Sequence, residues 1–333
     1  VTIRSRFAHA LTLALLLALP VAVSANCGAE GCPMSPHGPE ARFGRFGFNV
    51  RWQSVDQDHY WDGGHSLTAA QALTAEGGFH HVLEQQTRTR TMLLDASARI
   101  VPRLSVLVTV PYVDRVHRHA LVHTPTWQVE SEWHMKGLGD ASALADWDVI
   151  EGASGFGTLT VQAGIKLPTG ITDVPEVNGD SPEPSARPGS GSTDFLGGLA
   201  WRRVVKLRGL HDAADAPITA SVSARYNGRG SENFRMGDEW DAAAGLAWPL
   251  THAVHVLAQL DATRHSRDDA GDTDVAPHET GSSAAYASPG LLVAILPGMT
   301  AFGYDQLRIY EHTNGPQLVS PYHVSAGLAW SLP

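Results

Sequence analysis

Apolar and polar side chains alternate along most of this 333-residue chain. Between Thr158 and Leu167, the side chains of Leu159, Val161, Ala163, Ile165 and Leu167 fall on one face of an extended strand. Thr160, Gln162, Gly164 and Lys166 fall on the other. The same period returns around Phe46, Leu104, Ile218, Val254 and Tyr322. It predicts twelve strands, at 44–55, 88–100, 103–115, 138–150, 156–168, 193–205, 217–228, 237–249, 252–264, 281–295, 299–311 and 320–331. Repeated strands of roughly ten residues separated by turn chemistry are the signature of an antiparallel barrel.

The connections alternate in length. Segments 100–103, 151–155, 249–251 and 296–299 are tight turns, with 206–216 an overlong member of the same set. Segments 56–87, 116–137, 169–192, 229–236, 265–280 and 312–319 are long or polar. With both ends on one side, every long loop falls on the opposite side, as outer-membrane barrels keep short turns in the periplasm and long loops outside. The expected fold is therefore all-β: an antiparallel transmembrane β-barrel of about twelve strands across 44–331, with periplasmic termini, short periplasmic turns and long extracellular loops.

The two faces differ in chemistry. One is almost wholly apolar and carries Trp52, Tyr112, Trp147, Tyr226, Trp240, Trp248 and Trp330 near strand ends, where amphipathic rings suit a membrane interface. The other is small or polar, and it carries charges at Arg51, Asp95, Arg99, Asp146, Asp148, Lys166, Arg225, Asp241 and Asp261. These nine are the expected lining of a water-filled lumen, with loops 56–87 and 169–192 the candidates to fold inward and narrow it. Strand 299–311 resists the scheme. The parity that turns Phe302 and Tyr304 to lipid also turns Gln306 and Arg308 there, so either a bulge intervenes or that end stands above the bilayer.

Composition narrows the setting. Arg4 and Arg6, an apolar run from Leu11 to Val23 and small residues up to Ala25 read as a cleaved signal peptide over 1–25. That leaves 22 basic against 34 acidic side chains, a net charge of −12, which does not suit a nucleic-acid binder. No later run is long and apolar enough for a membrane helix, so a membrane location requires a barrel. The expected surroundings are the Gram-negative outer membrane, its lipid and lipopolysaccharide.

Short motifs punctuate the strands: Val110-Pro111-Tyr112-Val113, Gly137-Leu138-Gly139-Asp140, Lys166-Leu167-Pro168-Thr169-Gly170, the run from Gly189 to Phe195, Gly237-Asp238 and Ser288-Pro289-Gly290. In this order, over about 90–330, they resemble the MetA-pathway of phenol degradation family of outer-membrane proteins. The resemblance implies a barrel that passes small, often apolar or aromatic, compounds. It carries no catalytic or ligand motif. The chain departs from such barrels at its end, Trp330-Ser-Leu-Pro333, which does not finish on an aromatic residue. The expected function is a monomeric channel for passive passage of small solutes.

Two other functions compete with it. Segment 26–43, placed in the periplasm or as a small plug, holds Cys27 and Cys32 with Met34 and His37 close behind. Four residues separate the cysteines, enough for a disulfide loop in an oxidising compartment. Thiolate, thioether and imidazole together also suit Cu(I) or, less selectively, Zn(II), and the barrel would then handle metal. The third reading is a structural or adhesive barrel without a pore. Of the sixteen histidines of the mature chain, His59, His65, His80, His81, His117, His119, His123 and His134 fall in expected outer loops and suit either metal capture at the cell surface or polar loop composition; His80-His81 and His117-Arg-His119 lack a carboxylate or cysteine at ligand spacing, which favours loop composition. Acid runs at Asp173, Glu176, Asp180 and Glu183 and at Asp268, Asp269, Asp272 and Asp274 read as solvated loop surface, or as sites for divalent ions bridging lipopolysaccharide. No hydrolase or metalloprotease motif is present, so an enzyme is not expected and no resident cofactor is implied.

Overall fold

Period-two patterning becomes a closed cylinder in the computed structural model, which describes residues 45–75, 82–123, 126–152, 155–179, 181–210, 212–273 and 277–333. The expected signal peptide and the Cys27, Cys32, Met34 and His37 segment lie outside the described residues. Twelve strands form the wall: β1 (Phe46–Gln57), β4 (Val82–Val101), β5 (Leu104–His123), β7 (Ser142–Ile150), β8 (Thr158–Lys166), β9 (Asp194–Arg208), β10 (Ala213–Tyr226), β11 (Glu239–Pro249), β12 (Val254–His265), β13 (Ser282–Leu296), β14 (Met299–Val319) and β15 (Tyr322–Leu332). Each pairs antiparallel with its neighbour in that order, and β15 closes on β1 from Phe46 opposite Leu332 to Val55 opposite His323. Closure leaves none of the twelve described wall strands as a sheet edge, which is what allows a sheet to sit in lipid, where no water satisfies backbone groups.

The short connections are tight. Gly209 N donates to Asp212 O at 2.9 Å and Arg208 pairs with Ala213, so the strands on either side of the overlong segment 206–216 simply run on into it as a hairpin. The long connections contain further strands. β5 continues past the membrane and pairs with β6 (Thr126–Leu138), while β2 (His59–Gly63) and β3 (His65–Leu67) form a hairpin beside the upper part of β14, followed by the short helix α1 (Ala69–Ala75).

Exposure alternates as the pleat demands. In β1, Phe46, Phe48, Val50 and Trp52 face out, while Asn49, Arg51, Gln53 and Val55 are buried. Trp52, Tyr112, Tyr226 and Trp240 ring the outer face at the long-loop end, and Trp147, Trp248 and Trp330 at the short-turn end. Trp240 and Trp248 share β11. Their eight-residue separation spans about 27 Å along a strand, or roughly 21 Å across the bilayer at the ~40° tilt of such barrels, close to their ~25 Å apolar band. A closed antiparallel barrel with this belt is an outer-membrane protein, with its long loops outside the cell.

The parity of β14 reverses the expectation for its aromatic residues. Phe302, Tyr304 and Gln306 all point inward, Gln306 with no exposure at all, while Leu307, Ile309 and Tyr310 face out. A bulge opposite Ala285 and Tyr286 absorbs one extra residue, which returns Glu311 and Thr313 to the interior. The interior is consequently less uniformly polar than the sequence suggests. Phe302 and Tyr304 pack inside the wall against Ala247, Leu257 and Leu292, and Leu107, Leu144 and Leu196 form a second inner patch.

Candidate functional site

The inner face is a set of strands whose polar side chains bind one another. All nine charged positions singled out from the sequence share this face. Asp95 accepts from Asn49 Nδ2 at 3.0 Å and Thr109 Oγ1 at 2.7 Å. Asp146 accepts from Gln162 Nε2 and Asp148 from Thr160 Oγ1, both at 2.6 Å. Asp261 takes Gln259 Nε2 at 2.6 Å and the Ser288 hydroxyl, and Asp241 takes Ser223 Oγ at 3.4 Å. Arg225 lies 3.7 Å from Glu239, Arg51 is buried on β1, and Arg99 stands partly exposed toward the turn end of β4. Such pairing is what buried polar groups require, and it stiffens the inner wall.

Lys166 has a different role from the other eight. Its Nζ bridges Asp140 at 2.8 Å and Asp194 at 2.9 Å and also reaches Ser190 and Ser192. Asp140 in turn holds the backbone amides of Gly170 (2.9 Å) and Ser190 (2.8 Å), and Asp194 holds that of Gly228 (3.0 Å). Gly139 meets Pro111 through a 2.9 Å backbone bond. Gly170 and Gly189 touch so closely that a Cβ on Gly170 would sit 2.7 Å from Gly189 Cα, a contact only glycine permits. Four of the sequence motifs therefore meet in one knot at the root of loop 169–192. Their residue types serve backbone approach and charge pairing.

From that knot the loop runs back over the inner face above the girdle. Ile171 N bonds Leu138 O, and Arg115 from β5 donates to Ser185 O at 3.1 Å and Ala186 O at 2.6 Å. Val174, Val177 and Ala186 cover Trp133 and Met135 of β6. Arg187 reaches across to Glu232 in the next loop at 2.5 Å. Loop 56–87, by contrast, adds the β2 and β3 hairpin to the rim, where Trp61 Nε1 bonds Glu311 O and the Arg308 guanidinium covers the Trp61 ring at 4.5 Å.

Beneath loop 169–192 four side chains converge. His117 and His119 alternate onto the inner face of β5, Glu84 stands opposite His119 on β4, and Glu183 descends from the loop. One ligand atom from each lies within 4.8 Å of all the others. The two imidazole Nε2 atoms are 2.8 Å apart, with Glu183 carboxylate oxygens 3.2 Å from His117 and 3.4 Å from His119. A register shift between Glu84 and Gln86 aims Glu84 inward, whereas Arg88 and Arg90 on the same strand face out. The outward charges Arg88, Arg118, Glu132 and Lys136 place this level above the membrane-spanning segments. Burial opposes charge on His117 and Glu183 alike. The hydrogen bond between them and the neighbouring charges outweigh it, raising the imidazole and lowering the carboxyl relative to their ordinary values.

This cluster overturns the sequence reading of His117 and His119 as loop composition, and of Glu183 as solvated surface. The carboxylates are absent from the local sequence because the fold supplies them from 33 residues before and 66 residues after His117. Asp268 and Asp269 also turn out to be engaged, with Gly237 N at 2.7 Å and with Arg229. Asp180 and Asp274 lie outside the described residues.

No protein-family model matches the chain, and no curated protein matches it in sequence. Solved structures do match in fold. The COG4313 outer membrane channel from Pseudomonas putida F1 superposes with a TM-score of 0.56 over 86% of this chain and 95% of that one, at 12% identity. The CymD monoaromatic hydrocarbon channel matches at a TM-score of 0.45 and 9% identity, covering 94% and 95% of the two chains. A porin, NanC, matches at 0.42 and 11%, covering 86% of this chain and all of that one. The fold is that of outer-membrane barrels.

Proposed function

We propose that the protein is a passive channel of the outer membrane for small solutes that carry both polar and apolar faces. The observation that carries this reading is the interior: a closed barrel whose inner wall combines a fixed polar network with two apolar patches, under a loop folded over one mouth. Polar groups at fixed positions replace the hydration of a passing solute, and the patches around Phe302 and Leu144 receive its apolar face. This reading agrees with the resemblance to the MetA-pathway family, four of whose six motifs converge in one knot, and with the COG4313 channel whose fold the chain shares.

In this reading the inner charges other than Lys166 line the passage and the barrel works as a monomer, its outer charges facing lipopolysaccharide. Arg51 is the most direct probe, because its guanidinium is buried on the inner face of a wall strand. In planar bilayers the protein gives discrete conductance steps, and Arg51→Gln shifts the reversal potential in a KCl gradient toward cation preference. Folded, heat-modifiable protein without conductance, and without swelling of liposomes in small aromatic solutes, would rule out a channel.

A further inference from the structure

We propose that Glu84, His117, His119 and Glu183 form a binding site for a divalent first-row transition metal ion, Zn2+ being the best match, at the extracellular mouth of the barrel. The proposal is independent of whether the barrel conducts. Geometry is its first support. A tetrahedron with zinc bonds of about 2.0–2.1 Å separates its donor atoms by about 3.3 Å. The two imidazole Nε2 atoms already stand 2.8 Å apart, with one Glu183 oxygen 3.2 Å from His117 and the other 3.4 Å from His119, and Glu84 completes a set with one donor atom from each residue within 4.8 Å of all the others.

The surroundings are those of a ligand set held in place. Thr87 Oγ1 lies 2.7 Å from His117 Nδ1, which commits the other ring nitrogen, Nε2, to the centre of the cluster, the kind of outer partner that ligating histidines keep. Trp133 stacks on His117 with ring centroids 5.6 Å apart and meets His119 edge-on at 4.9 Å, fixing both planes. His117, His119 and Trp133 are all buried, so the rings have little freedom to turn away. Two carboxylates and two mutually facing imidazole nitrogens form a poor cluster electrostatically unless protons or a cation stand between them. A divalent ion satisfies all four at once.

Donor chemistry selects the ion. Two imidazoles and two carboxylates with no thiolate suit Zn2+ or its Co2+, Ni2+ and Cu2+ neighbours, and suit neither Cu(I) nor the hard, all-oxygen coordination of Ca2+. The site also has a structural consequence. Three donors belong to the wall strands β4 and β5 and the fourth to loop 169–192, so a bound ion would fasten the loop over the mouth.

The test is calorimetric titration of Zn2+ into the refolded mature chain in detergent, with Cys27 and Cys32 replaced by Ser to silence the other candidate ligands. One equivalent should bind with micromolar or tighter affinity. His119→Ala and Glu183→Gln should each weaken it at least about tenfold, and Thr87→Val by about 10–100-fold, as loss of an outer-shell partner does. Heat modifiability on a gel verifies that each variant is folded. Glu183→Gln changes only a loop side chain and remains informative should His119→Ala fail to fold. Absence of a stoichiometric site in the folded chain, or binding that survives the His119→Ala/Glu183→Gln pair, would overturn the proposal and leave the cluster as an ion-paired clamp without metal.

Discussion

At the scale of single residues, the lysine at position 166 shows how one inward position can differ from the rest. By parity it belongs with the other inner charges, yet it is mostly buried between Asp140 and Asp194, whose side chains are only 6% and 2% exposed. Removing the cation leaves two carboxylates without compensation, and breaking one side of a buried ion pair costs about 3–5 kcal/mol. Lys166→Gln should therefore lower the denaturant midpoint of the folded barrel and loosen loop 169–192, well beyond any change in ion preference. A chemical unfolding curve followed by tryptophan fluorescence checks this, and a wild-type midpoint would show that the knot is not under such electrostatic tension. The alternation around Lys166 was legible in the sequence. Its partners were not, because Asp140 and Asp194 sit 26 and 28 residues away and meet it only through the register of β8 with β7 and β9.

At the scale of elements, the connections contain more order than their polarity suggests. β6 was hidden within the expected loop 116–137 although it alternates well, with Trp133 and Met135 on one face and Glu132, His134 and Lys136 on the other. Its polarity is inverted relative to the wall strands. Above the girdle the outward face meets water and the inward face meets loop 169–192, so apolar residues turn in and charges turn out. Wall strands turn apolar residues outward to lipid and β6 turns them inward, so the pattern that marks the wall in the sequence does not mark this strand. The same loop offers a clean excision, since Gly170 and Gly189 already touch. Joining residue 170 to residue 189 removes 171–188 while keeping the knot of Asp140, Lys166 and Asp194. Single-channel conductance should rise in the shortened protein; an unchanged value would mean the loop lies beside the path and not across it.

At the scale of the whole molecule, the barrel depends on the contrast between its faces. Leu260 lies on the outer face in the middle of β12, 60% exposed, beside the inward Asp261. An arginine at the bilayer midplane costs about 2–4 kcal/mol. Leu260→Arg should therefore lower the stability of protein refolded into liposomes by that order, read from the denaturant midpoint. A cost near zero would mean that this face does not meet the lipid core. The expected twelve-strand ring, its tight turns on one side and its aromatic girdles all emerged from sequence because each depends on a local rule: period two, turn chemistry and the preference of amphipathic rings for an interface.

Strand β14 marks where local rules stop. Phe302 and Tyr304 look like lipid-facing residues by chemistry, but the ladder with β13 and β15 fixes their direction, and a bulge further along restores the pattern. The His117 and His119 site marks the same limit more sharply. Two imidazoles at i and i+2 say only that they share a face. That a bulged Glu84 and a returning Glu183 complete the set depends on strand register and on a loop anchored by a distant ion pair. Sequence by itself determined the wall, because the pleat sets the orientation of neighbouring side chains along each strand. Tertiary structure alone decided what the lumen and its mouth bring together, because those contacts join segments far apart in the chain and their geometry exists only after the barrel has closed.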